Sequence, residues 1–207
     1  MTTGQKARWV KVHPAVVRAS HWINVIAMVI MVTSGWRIYN AAPVFPLKFP
    51  AAITLGGWLG GALQWHFAAM WLLAINGLVY LAYGTASGHF RTKLFPISPR
   101  AVLEDVLAAA RGKLTHGDLT VYNAGQRAAY VTLILAMTVL VISGLAVWKP
   151  IQLQTLAALL GGYEGARVVH FLAMALSVLI VVAHVVMVAF VPKTFPTMIT
   201  GRIKIES

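Results

Sequence analysis

Apolar residues occur in four long blocks, and most polar residues lie in the connections between them. The blocks cover residues 19–38, 64–83, 127–148 and 168–191. Each block is about as long as the 20 mostly apolar residues that an α-helix needs to cross a bilayer. The pattern predicts an all-α fold, an integral membrane four-helix bundle formed by a single domain of residues 1–207.

The connections predict short helices at the membrane surface. In the connection 84–126, Ser98 and Pro99 are residue types that favour an N-cap and a first helical position. Gly112 could end that helix. The apolar run 153–160 predicts a second short helix, in the connection between the third and fourth blocks.

The connection 39–63 contains many proline and glycine residues, but it is too apolar to be a solvated loop. We expect it to lie at the membrane interface. Trp58 and Trp65 would anchor it there, because tryptophan is enriched where the bilayer meets water.

Composition agrees with a membrane protein. Hydrophobic residues make up 59% of the chain and charged residues 11%, whereas soluble domains contain about 25% charged residues. The chain has no cysteine, which excludes disulfides, thiolate-held iron–sulfur clusters and covalent c-type haem. Any cofactor must therefore be held by histidine, methionine, tyrosine or carboxylates.

The formal net charge of +12 is unevenly distributed. Basic residues concentrate before the first block, between the second and third, and after the fourth: Lys6, Arg8, Lys11, Arg18, Arg91, Lys93, Arg100, Arg111, Lys113, Arg127, Lys193, Arg202 and Lys204. The remaining basic residues lie in or beside the other two connections: Arg37, Lys48, Lys149 and Arg167. The positive-inside rule places both termini and the central connection in the cytoplasm, so the charge requires no nucleic-acid partner. The first block is too long for a signal peptide and is expected to be an uncleaved anchor.

A weak repeat relates the first two blocks to the last two. Ser34-Gly35-Trp36 ends the first block, and Ser143-Gly144-Leu145 lies in the third. The runs that begin His66-Phe67 and His170-Phe171 lie in the second and fourth blocks. The repeat predicts pseudo-two-fold symmetry about the membrane normal, with chance similarity between apolar segments as the alternative.

Four histidines lie within the blocks, where ionisable residues are costly and usually functional. Since the first helix runs outward, His21 lies near the cytoplasmic side. The second and fourth helices run inward, so His66 and His170 lie near the outer side and His184 lies deeper. Depth therefore pairs His21 with His184 and His66 with His170.

The spacing of His170 and His184 favours two cofactors at two depths. Fourteen residues correspond to about 21 Å of helix rise and end about 40° short of four full turns, so both side chains point to one face. Each pair could bind one haem iron from opposite sides. Unrelated polar residues, a proton relay and a metal transporter are the alternatives, but the four blocks contain no acidic residue to support the last two.

Residues near the histidines could contact these haems. Arg18 and Arg167 each lie one turn from a histidine and could pair with a haem propionate or extend toward the headgroups. Gly35 and Gly144 lie at the depth of the outer haem and could allow close approach of a porphyrin or close helix packing.

The run Arg18-Ala19-Ser20-His21-Trp22 resembles the Arg-x-x-His-Trp signature of the bacterial cytochrome b561 family. That family includes the di-haem cytochrome b subunits of nickel–iron hydrogenases. The resemblance covers nearly the whole chain. It implies four or more helices and two haems b, and the same two histidine pairs as axial ligands.

The chain departs from better-known members of the family. His13 precedes Pro14 where many members have an acidic residue. The apolar connection 43–61 resembles a subgroup encoded beside periplasmic molybdopterin oxidoreductases, which makes a hydrogenase a doubtful partner.

The resemblance implies that the chain is the electron-transfer subunit of an inner-membrane oxidoreductase, between a periplasmic redox partner and quinone. Ubiquinone or menaquinone would bind near the inner haem, where four residues could offer hydrogen bonds: Asn24, Tyr80, Tyr122 and Asn123. Tyr80 and Tyr130 could instead contact a haem edge or the membrane interface. A stand-alone superoxide:quinone oxidoreductase and a haem-free membrane anchor subunit are the alternative functions.

Overall fold

The computed structural model describes residues 8–111 and 122–205. Four helices in it are long and apolar enough to cross a membrane: α1 (Ala15–Ala41), α2 (Leu59–Ala86), α5 (Ala124–Trp148) and α7 (Gly162–Phe190). They confirm the four predicted spans. Each helix begins several residues before its predicted start, because hydropathy marks only the apolar part of a helix that continues into the interface.

The spanning helices pack closely as two hairpins, α1 with α2 and α5 with α7. The residues buried in these four helices are mostly small: Val17, Ser20, Ala27, Ser34, Ala62, Ala69, Asn76, Gly84, Ala136, Ser143, Ala146, Ala166, Ala173 and Ser177. Small residues let helix backbones approach one another, which is a common basis of helix association in lipid. Large apolar side chains such as Leu78 and Leu179 are exposed, as expected of helices that face lipid.

Short helices occupy the connections: α3 (His89–Lys93), α4 (Pro99–Ala110) and α6 (Gln154–Leu159). The start of α4 confirms its predicted N-terminus, where the backbone N–H of Ala101 donates to Ser98 Oγ over 3.5 Å. Gly112 lies outside the described residues. Asp105 accepts a hydrogen bond from the backbone N–H of Gly125 at 2.9 Å, which attaches α4 to the start of α5. Helix α6 confirms the short helix predicted before the fourth span.

The connection between α1 and α2 is folded against the helices. Asn40 exchanges two hydrogen bonds with the backbone of Phe49, at 2.8 and 2.9 Å, and the Phe49 ring stacks on Trp36 with centroids 4.6 Å apart. Trp58 and Trp65 are exposed, which agrees with their predicted position at the interface.

The two ends of the chain form a small antiparallel sheet that the hydropathy pattern did not predict. Strand β1 (Arg8–Lys11) pairs with β2 (Arg202–Ile205), with Lys11 opposite Arg202. A short helix, α8 (Thr197–Thr200), precedes β2. Trp22 Nε1 on α1 donates to the carbonyl of Met198 at 3.0 Å. These contacts place β1 and β2 at the same end of the bundle.

Candidate functional site

His21 on α1 and His184 on α7 face each other near the end of the bundle that carries the sheet. Their ring centroids are 6.1 Å apart, and the ring planes differ by 68°. Two imidazoles that bind one metal ion from opposite sides have ring centres about 6 Å apart, because each metal–nitrogen bond is about 2 Å long. This pair therefore has the spacing of two axial ligands.

His66 on α2 and His170 on α7 form the second pair. They are close enough to interact electrostatically. Because His170 and His184 share one helix, the two pairs lie about 21 Å apart along it. The structure thus brings together the histidines that their predicted depths had paired.

Each histidine of the second pair contacts a serine on the neighbouring helix of its own hairpin. Ser34 Oγ lies 3.0 Å from His66 Nδ1, and Ser143 Oγ lies 3.1 Å from His170 Nδ1. Both serines have 0% exposure. Sequence reasoning assigned these serines no role, although the repeated Ser-Gly pair marked both positions.

The glycine after each serine provides space for the histidine ring. A Cβ atom on Gly35 would lie 3.4 Å from His66 Cε1, and one on Gly144 would lie 3.2 Å from His170 Cε1. The predicted alternatives at these glycines were contact with a porphyrin and close helix packing. In the structure each glycine lies against the imidazole of the adjacent helix, and contact with a porphyrin stays a prediction.

Arg18 lies one turn before His21, next to a cavity at the same end of the bundle. Its Nη1 donates to the carbonyl of Ile199, while its Nε is buried and has no hydrogen-bond partner among the described residues. Lys11, Arg18 and Arg202 line this cavity of about 200 Å³, and no carboxylate is among its lining residues in the described part of the chain. The cavity is therefore suited to an anionic group.

Arg167, one turn before His170, has protein partners. Its Nη1 forms an ion pair with Glu164 at 2.7 Å, and its Nη2 donates to the carbonyl of Ala42. These contacts hold the start of α7 against the end of α1, so Arg167 joins the two hairpins near the second histidine pair.

Tyrosines cluster on the same side as His21. The rings of Tyr122 and Tyr130 are 5.2 Å apart, and Tyr80 interacts electrostatically with both. Burial raises the pKa of the Tyr122 hydroxyl, with a further contribution from Tyr130. The Tyr122 phenol therefore remains protonated at neutral pH and can donate a hydrogen bond.

The two asparagines predicted near this cluster have structural partners. Asn24 Oδ1 accepts from Asn76 Nδ2 at 2.7 Å, and the same Nδ2 lies 2.9 Å from the carbonyl of Ser20. Asn123 is the N-cap of α5 and forms a capping box with Gln126. Asn76 is 6% exposed, and sequence reasoning did not identify it.

The ligand chemistry fits haem better than a bare metal ion. Zinc sites use three or four protein ligands, and no three His, Cys, Asp or Glu side chains cluster in that way within residues 8–111 and 122–205. Haem iron takes its equatorial ligands from the porphyrin, so two histidines complete its coordination. The arrangement of the four histidines in pairs is therefore compatible with bis-histidine ligation of haem.

Comparisons with known proteins agree with this chemistry. The sequence model of a family described as prokaryotic cytochrome b561 matches residues 12–201. A putative protein-methionine-sulfoxide reductase subunit, YedZ1, from Azospira oryzae is 57% identical over 92% of this chain and 96% of its own length. A probable Ni/Fe-hydrogenase B-type cytochrome subunit from Cupriavidus necator is 27% identical over 54% of this chain and 45% of its own length.

Proposed function

Because the chain belongs to the prokaryotic cytochrome b561 family and is a haem-binding, multi-pass membrane protein of electron transport, we propose that it carries electrons between a periplasmic redox partner and the quinone pool of the bacterial inner membrane. The observation that carries this proposal is the presence of two histidine pairs at two depths. His21 faces His184, and His66 lies near His170.

Each histidine pair would hold one haem b. Haem b supplies one-electron redox chemistry when it is bound, and two histidine ligands fill both axial positions, which favours electron transfer over oxygen binding. His21 and His184 hold the inner haem in this proposal, and His66 and His170 hold the outer haem.

Arginines would bind the haem propionates. Arg18 has a buried Nε without a partner among the described residues and lies beside the cationic cavity, which suits a carboxylate. Arg167 would serve the outer haem in the same way while it keeps its ion pair with Glu164.

The basic residues and the terminal sheet support one orientation. Strands β1 and β2 lie at the same end of the bundle, and the positive-inside rule assigns that end to the cytoplasm. The periplasmic partner would then contact the connections around residues 42–58 and 149–161.

The partner in this proposal is an oxidoreductase subunit that contains molybdopterin. The Azospira oryzae relative is named as a subunit of a putative methionine-sulfoxide reductase, and the similarity extends over nearly the full length of both chains. The chain has no cysteine, so an iron–sulfur cluster held by thiolates would have to belong to the partner.

Quinone would bind at the cytoplasmic side, beside the tyrosine cluster. Asn24 and Asn123 already bond to Asn76 and Gln126, and the Tyr122 hydroxyl is hydrogen-bonded to Tyr130, so Tyr80 is the better candidate of the four predicted residues. A quinone bound beside His66 and His170 would refute this placement.

A superoxide:quinone oxidoreductase would need a cationic entrance above the outer haem. Three of the four basic residues there contact the protein: Arg167 pairs with Glu164, Arg37 donates to the carbonyl of Gly57, and Lys149 lies over the Trp148 ring. The electron-transfer subunit is the preferred function, because the Azospira oryzae relative is named as a subunit of an oxidoreductase. Superoxide-driven haem reduction in the isolated protein would favour the alternative.

Optical spectroscopy of the purified protein tests the haem sites. We expect two haems b per chain, with one lost in His66→Ala, the other lost in His21→Ala, and both kept in the control His89→Ala. A chain without the reduced haem α-band would be a haem-free anchor. Loss of both haems from either single variant would contradict two independent sites.

A further inference from the structure

Ser34 and Ser143 have the same hydrogen-bonding arrangement. Ser34 Oγ donates to the carbonyl of Ile30 at 2.5 Å, and Ser143 Oγ donates to the carbonyl of Val139 at 2.6 Å. Each hydroxyl has a single proton. Once that proton is directed to a carbonyl, the oxygen can only accept a hydrogen bond from the neighbouring histidine.

This arrangement determines which ring nitrogen of each histidine carries the proton. Since Ser34 Oγ accepts, His66 Nδ1 must be the N–H group, and the same argument applies to Ser143 and His170. The carbonyls of Met31 and Leu140 also interact with these two rings, and a carbonyl can only accept. The lone pair is therefore on Nε2 in both histidines.

The other histidine pair lacks this support. Among the described residues, neither His21 nor His184 has a side-chain hydrogen bond, and their recorded partners are aromatic rings, including each other. The chain therefore contains two pairs of the same ligand type, but only one pair has its ring orientation held by hydroxyl groups.

We propose that Ser34 and Ser143 are positioning residues for the outer haem, which hold Nδ1–H of His66 and His170 and direct Nε2 to the iron. This inference rests on the proposed haem ligation. A hydrogen bond from Nδ1 fixes the tautomer and increases the basicity of the ligand. A more basic ligand stabilises ferric iron, so the two serines lower the reduction potential of the outer haem.

Serine-to-alanine variants of the full-length holoprotein provide the test, in redox titrations that follow the haem absorbance. Ser34→Ala and Ser143→Ala should each raise the potential of the outer haem and leave that of the inner haem unchanged. Haem retention at the outer site should fall about 10-fold. The His66→Ala protein identifies which component of the titration belongs to the outer haem.

Ser177→Ala is the matched control. Ser177 is also fully buried on a spanning helix and donates to the carbonyl four residues earlier, at 2.8 Å, but no hydrogen bond to a histidine is recorded for it in the described residues. Its variant should change neither potential. An unchanged outer potential in both test variants, or an equal shift in Ser177→Ala, would overturn the proposal.

A measurement on the haem-free wild-type protein covers the case in which the variants do not fold. Nitrogen-15 NMR of labelled histidine should show His66 and His170 as Nδ1–H tautomers at neutral pH. Nε2–H tautomers at these positions would contradict the positioning role. If the wild type binds no haem while the NMR result holds, the proposed haem function fails and the hydrogen-bond assignment stands.

Discussion

The outer and inner histidine pairs contain the same type of residue in different surroundings. His66 and His170 each fit between a buried serine and a glycine of the adjacent helix. His21 and His184 instead contact each other through their rings, and His21 also contacts the Trp22 ring. The inner end also carries the cationic cavity and the tyrosine cluster, whereas each histidine of the outer pair contacts one serine and one glycine.

The difference shows that a repeated ligand set need not give two equivalent sites. The Ser-Gly pair recurs in both hairpins at the outer level, so the contacts of the outer pair are duplicated. The inner level has no such duplication. Asn76 of α2, ten residues after His66, bonds to Asn24 and Ser20. The corresponding position of α7, ten residues after His170, is the apolar Ile180. Electron transfer in one direction benefits from two sites of unequal potential.

The largest expected effect comes from filling the space beside an outer histidine. Gly144→Val should reduce outer haem occupancy about tenfold or more, because a Cβ there lies only 3.2 Å from the His170 ring and overpacking costs about 1–3 kcal/mol. Haem content and the reduced spectrum measure the change. The control Gly77→Val, where a Cβ meets nothing within 4 Å, should keep both haems. Equal losses in the two variants would show that the outer site is not specifically packed.

A smaller effect is expected from the inner tyrosine cluster. Tyr80→Phe should slow quinone-dependent oxidation of the reduced protein about tenfold, equivalent to about 1.4 kcal/mol, because one hydrogen-bond donor is lost. Stopped-flow spectroscopy measures the rate, and both haem spectra should be unchanged. Tyr163→Phe, at the outer end of α7, is the control. A slower rate in that control alone would move the quinone site to the outer side.

Removal of the inner arginine should shift a potential without loss of haem. Arg18→Gln removes a positive charge beside the inner haem, which favours the ferric form. The reduction potential of the inner haem should therefore fall by roughly 30–60 mV, which is up to about a tenfold change in the one-electron equilibrium. A redox titration should show the outer component unmoved. Arg100→Gln is the control, since Arg100 is an exposed residue of α4 paired with Glu104. A shift confined to the outer component would contradict the prediction, because it would show that Arg18 acts on the outer haem and not on the inner haem.

The smallest expected effect concerns the polar contact in the first hairpin. Asn76→Ile copies the residue of the second hairpin and should destabilise the protein by about 0.6 kcal/mol, the average for a hydrogen bond between membrane helices. Unfolding in mixed detergent micelles measures the change, with the exposed Leu78→Ile as control. Increased stability would show that the asparagine is kept for the inner site and not for folding.

The spans, the short helices α4 and α6, and the two histidine pairs could be predicted from the sequence. Hydropathy marks a lipid-facing helix directly, and the rise per residue of that helix converts spacing into depth. The N-terminus of α4 was also readable, because Ser98 and Pro99 determine it through local backbone chemistry.

The side-chain contacts between adjacent helices could not be predicted, because the depth of a residue does not determine how its helix is rotated about its own axis. Only the tertiary structure placed Ser34 against His66 and Ser143 against His170. It also placed the glycine that follows each serine against the same imidazole ring. It also assigned Asn24 and Asn123 to structural hydrogen bonds. The β1–β2 pairing joins residues from opposite ends of the chain, and no local pattern encodes such a contact. The sequence by itself determined at which level along its helix each histidine lies, because the rise per residue is fixed, and the packing of the helices decided which side chains contact it.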